Sequence, residues 1–151
     1  METRVKPRSE PKASHEFSKR LLMLTAAGGL AFWTVDFVIS ISPISAKYKA
    51  AFSISSLPLA LAEAFVGGLV IALWVSYFLL RFYERVPGKK SIFKAWILSF
   101  FVMVIIEVFS ALGNPAHASV YLLLDTGMNA PRFLGLGLII GYLFDQQKKT
   151  A

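Results

Sequence analysis

Four long apolar stretches, at residues 21–42, 57–80, 95–112 and 118–144, take up most of this chain. Each is close to the 17–25 residues that a helix needs to cross a hydrocarbon core of about 30 Å. A soluble helix would set a charged face against an apolar one. These stretches show no such alternation. Of 151 residues, 56% are hydrophobic, and most of them lie in these blocks, so no soluble domain of useful size remains. The sequence therefore predicts an all-α fold: a polytopic membrane protein whose four transmembrane helices form a bundle. Residues 1–18 read as a disordered basic leader, 19–147 as the transmembrane domain and 148–151 as a tail.

The net charge of +7 raises the question of nucleic acid, but its distribution argues for topology instead. Arg4, Lys6, Arg8, Lys12, Lys19 and Arg20 precede the first stretch. Arg81, Arg85, Lys89, Lys90 and Lys94 lie between the second and third, and Lys148 and Lys149 follow the last. The opposite side receives only Lys47 and Lys49. This is the positive-inside pattern for four spans with both termini cytoplasmic. The expected location is the cell membrane, with the bilayer as the first partner and no nucleic acid. Four helices enclose little volume, so a homo-oligomer or a larger membrane complex is a further expectation. With no cysteine, disulfides and thiolate metal sites are excluded. The N-terminus reads as a signal anchor, because a long polar stretch precedes the first apolar block and no clean cleavage site follows.

Helix boundaries are marked by proline and glycine. Ser42-Pro43 should end the first helix, and Pro58 suits the first turn of the second. Pro87-Gly88 should turn the chain, and Gly113-Asn114-Pro115 should stop the third helix. Pro131 should kink the fourth. Part of the loop over 43–56 is expected to lie along the membrane interface. Trp33 and Trp74 are expected to pack between helices.

Each apolar stretch carries one carboxylate: Asp36, Glu63, Glu107 and Asp125. Counted at 1.5 Å per residue, all four fall roughly 8–10 Å inside the outer boundary. A charge in a span costs roughly 2.5–3.5 kcal/mol on insertion scales, and such residues usually face the bundle interior. The fourth stretch adds Asn129 and Arg132, one helical turn apart. Small and polar neighbours at helical spacing, such as Ser99 and Met103 before Glu107 or Ala60 before Glu63, predict that the acids point inward.

Four ionised carboxylates beside one arginine could not all keep their charge in low dielectric, so protons or a cation must be present. An oxygen-only ligand set suits a hard cation, with Asp36, Glu63, Glu107 and Asp125 as its candidate metal ligands, and not copper or structural zinc. The leading expectation is a small membrane protein of transport or ion-handling type. In it these four acids, Asn129 and Arg132 bind a cation or exchange protons near the outer leaflet, with no other cofactor. Two alternatives stay open. One is a non-catalytic accessory subunit that uses the polar layer as interhelical glue. The other is a membrane enzyme acting on a lipid. No phosphate-binding glycine loop, HExxH sequence or nucleophile elbow is found, so enzyme chemistry is the less expected class and no catalytic residue is assigned.

Overall fold

The computed structural model describes residues 10–43, 45, 56–113 and 118–149, the side chains of 10–13, 118, 120 and 121 excepted. Four long helices account for nearly all of them: α1 (Glu10–Ile41), α2 (Leu57–Phe82), α3 (Ser91–Gly113) and α4 (Ala118–Lys149). A single 3-10 turn, Tyr83–Arg85, extends α2. Three segments are long and apolar enough to cross a membrane: Ser14–Ile41, Leu57–Arg85 and Ser91–Gly113. The chain is thus an all-helical, membrane-embedded protein. α4 matches them in length but not in apolarity, because Asp125, Asn129 and Arg132 interrupt it. Three of the four expected spans are thus long and apolar enough to cross a membrane, and α4 is not.

The boundaries follow their punctuation. α1 ends at Ile41, just before Ser42-Pro43, and Ser42 and Ser45 hydroxyls donate to carbonyls of its last turn. Pro58 occupies the first turn of α2. Gly88 adopts φ +121, which a side chain would resist, and this turns the chain into α3. Pro131 lies inside α4 without ending it. The interfacial segment expected within 43–56 lies outside the described residues, apart from its two ends.

Residues 10–18, read from the sequence as part of the leader, belong to α1, and residues 1–9 lie outside the described residues. One local and one tertiary contact hold this start of α1. Arg20 pairs with Glu16 at 2.8 Å one turn away, and Phe17 meets Tyr77 of α2 edge-on at 6.3 Å.

α1 packs along both α2 and α4, α3 packs along α4, and the α2–α3 contact is thin. The buried stripes have a spacing of four: Leu24, Gly28, Phe32 and Asp36 on α1, and Ser91, Ala95, Ser99, Met103 and Glu107 on α3. Glycine lets the helices approach. A Cβ on Gly141 would stand 2.3 Å from the Ile92 Cα, and one on Gly137 3.3 Å from the Trp96 Cα. α3 and α4 therefore meet nearly backbone to backbone. Two indoles tie neighbours together by donating to main-chain carbonyls: Trp33 to Leu61 at 3.1 Å and Trp96 to Leu134 at 3.0 Å. Trp33 packs as expected. Trp74 does not: it is 55% exposed, stacked on Phe78 along the outward face of α2.

The bundle has two unlike ends. Leu24, Val75, Leu79, Leu136 and Ile140 form an apolar core toward the end where α1 begins. Phe32 and Phe133 close that core with an edge-to-face contact at 5.5 Å. Polar side chains fill the interior beyond them.

Candidate functional site

Leu136, Ile140 and Phe144 continue the apolar core after Phe133 in α4, and the residue before it is Arg132. One turn from Phe32 on α1 lies Asp36. The two meet as a salt bridge, Arg132 Nη2 to Asp36 Oδ1, at 2.5 Å. Both are largely withdrawn from the surface, with side-chain exposures of 13% and 6%. The pair joins α1 to α4.

The second guanidinium nitrogen, Nη1, donates to Asn129 Oδ1 at 2.6 Å. Asn129 lies one turn earlier on the same helix face. Its amide nitrogen donates in turn to Glu107 Oε1 at 2.9 Å, which carries the network across to α3. Glu107 is as deeply buried as Asp36. Asp125, one turn above Asn129, comes close enough for its carboxyl group to interact directly with that of Glu107. The sequence Asp36–Arg132–Asn129–Glu107–Asp125 is thus continuous across α1, α4 and α3.

The Arg132–Asp36 pair is neutral as a unit. Glu107 has Asn129 and Asp125 beside it, and forms no ion pair among the described residues. Two carboxylates side by side in low dielectric repel strongly, and a hydrogen bond between carboxyl groups needs one proton. The network also keeps two buried atoms without a hydrogen-bond partner among the described residues, Glu107 Oε2 and Arg132 Nε. Such groups are rare in folded proteins and commonly mark an unseen water or a working site.

Three of the four expected acids therefore converge, together with Asn129 and Arg132. Glu63 does not. It is exposed on α2 and outside this network. The buried face of α2 runs through Gly68, Ala72, Val75 and Leu79. Extended back by fours, that stripe reaches half-buried Ala64 and Ala60, which leaves Glu63 about 100° round the helix. The expectation that Ala60 and Glu63 share an inward face fails for that reason. Among the described residues no three acidic or histidine side chains are grouped so as to hold a metal ion.

Polar residues at the opposite end form a second group that the sequence did not single out. Lys94 is buried and donates to the Tyr83 carbonyl at 2.7 Å, capping the end of α2. The Tyr83 hydroxyl pairs with Ser91 Oγ at 3.0 Å, and Ser91 hydrogen-bonds Asp145 of α4. A lysine so near a helix end reads as topology in the sequence. Only the packing shows it turned inward.

Comparisons with protein-family models, curated proteins and solved structures find no match for this chain. The functional reading therefore rests on the chemistry of the site itself.

Proposed function

We propose that this protein is a four-span membrane protein, with both termini cytoplasmic in the cell membrane, that handles protons at the Glu107–Asp125 pair. The carrying observation is that Glu107 is buried, hydrogen-bonded to Asn129, and adjacent to a second acid rather than to a cation. Arg132 is already neutralised by Asp36, so it orients Asn129 instead of discharging Glu107. The acid pair then changes charge by exchanging one proton. Phe32 and Phe133 close the route toward the basic end, so exchange runs by way of the opposite end. The absence of a three-acid cluster favours protons over a hard metal cation among the ions such a layer accepts.

Proteoliposomes holding a pH-sensitive dye test this. Wild-type protein is expected to collapse an imposed pH gradient, and Glu107→Gln and Asp125→Asn to abolish that flux while still inserting. A flux unchanged in both variants contradicts the reading.

One observation favours a second reading, an accessory subunit. Glu63 stands exposed on a helix face that otherwise shows Leu59, Val66 and Val70. A carboxylate turned toward lipid is unfavourable. A neighbouring membrane helix, from a second copy or a larger complex, would relieve it. Co-purification of a stable partner that is lost in Glu63→Leu would support that reading.

A further inference from the structure

A cleft of about 400 Å³ opens at the basic end of the bundle, where α1 begins and α2 and α4 finish. Its floor is apolar: Phe17, Leu80 and Phe144. Its rim is ionic, and both signs are present. Arg20 and Lys148 are basic, and Glu16 and Glu84 are acidic. One from each helix is required to form it, and the cleft exists because α2 and α4 scarcely touch.

The charges are not equivalent. Arg20 is paired with Glu16 at 2.8 Å, so that couple is already neutral. Lys148 and Glu84 have no ion-pair partner among the described residues. They leave the rim with one positive charge, held over the Tyr83 and Phe144 rings, and one negative charge, neither neutralised by an ion pair among the described residues. A purely anionic ligand would meet Glu84, and a purely cationic one Lys148. A dipolar ligand satisfies both. An apolar floor beneath a dipolar rim, at the height where lipid head groups lie, points to an amphiphile from the bilayer.

The three aromatic residues of the cleft narrow the class further, since Phe17 already meets Tyr77 edge-on and Phe144 stacks on Tyr83. A quaternary ammonium is usually held on open aromatic faces. The Tyr83 ring is taken: Lys94 Nζ lies 3.8 Å and Lys148 Nζ 3.4 Å from its centroid, and Phe144 stacks on it at 4.9 Å. The acceptor left for a cationic group is the Glu84 carboxylate, which suits an ammonium that can donate hydrogen bonds. We infer that this cleft binds the zwitterionic head group of an aminophospholipid, its phosphate on Lys148 and Arg20 and its primary ammonium on Glu84.

Native mass spectrometry of the full chain tests this, using detergent micelles doped with equal amounts of phosphatidylethanolamine, phosphatidylcholine and phosphatidylglycerol. Phosphatidylethanolamine adducts are expected to exceed phosphatidylcholine adducts by about fivefold, the upper range for one exposed ion pair. Glu84→Gln should erase that preference, and Lys148→Ala should lower both adducts alike. Thr34→Ala, exposed on α1 and remote from the cleft, should keep the wild-type ratio. Soluble phosphoethanolamine should leave the adducts in place. Equal retention of the two zwitterionic lipids, preference for phosphatidylglycerol, or displacement by soluble phosphoethanolamine each overturns the inference. The wild-type ratios decide the matter even if a variant fails to fold, and circular dichroism reports such a failure.

Discussion

The side-chain amide of Asn129 donates to Glu107 across the α3–α4 interface at 2.9 Å while its oxygen accepts from Arg132 on its own helix. One amide thus connects a neutral ion pair to a buried acid. Asn129→Leu removes that connection and leaves the Glu107 carboxyl without its donor. Stranding a buried polar group costs about 1–3 kcal/mol. Thermal unfolding in detergent should show a loss of that order, and Asn129→Leu combined with Glu107→Leu should recover part of it. Equal melting of wild type and Asn129→Leu would remove the bond from the account.

Arg132 and Asp36 form the other half of the network, and their coupling is measurable. Arg132→Leu alone leaves Asp36 buried without a counter-charge, an arrangement that costs about 3–5 kcal/mol when a buried pair is broken. The double variant Asp36→Leu/Arg132→Leu should be more stable than Arg132→Leu. A double-mutant cycle with additive effects would show that the two side chains do not depend on each other.

The close approach of α3 and α4 gives a prediction independent of charge. A methyl group on Gly141 would collide with the Ile92 backbone, whereas one on Gly67 meets nothing within 4 Å. Gly141→Ala should therefore destabilise the bundle. Gly67→Ala should be neutral or stabilise it by up to about 1 kcal/mol through helix propensity. Comparing the two melting temperatures checks this; the reverse order would place the helix contact elsewhere.

The pH response follows from the neighbouring acids. The charged groups facing Glu107 are Asp125 and, through Asn129, the Arg132–Asp36 pair. On the proposed reading Glu107 and Asp125 share one proton, and its removal sets two negative charges side by side. Stability is then present at low pH and falls as pH rises past the loss of that proton. Asp125→Asn should flatten the fall. A wild-type melting temperature constant across that range would argue against a shared proton.

Much of this was legible in the sequence because length and apolarity alone fix membrane helices. The stops at Ser42-Pro43 and Pro87-Gly88 appear where proline and glycine chemistry requires them. The convergence of Asp36, Glu107 and Asp125 also followed from depth, since helices of similar length bring residues at equal height together. Depth, however, says nothing of rotation about the helix axis. Glu63 has the right height and the wrong azimuth, and only the position of Gly68 and Ala72 against their neighbours settles that. Lys94 illustrates the same gap in reverse: charge counting sees a basic loop, while packing turns its ammonium onto Tyr83. The helical start at Glu10 was hidden because Phe17 is ordered by Tyr77, a residue far away in sequence.

The shared proton is the centre of the account, and infrared spectroscopy of the carboxyl stretch reads it directly. Reconstituted wild-type protein at neutral pH should show a protonated carboxyl band that disappears in Glu107→Gln and in Asp125→Asn and survives in Glu63→Gln. No such band in wild type, or one that persists in both the Glu107 and Asp125 variants, would contradict it.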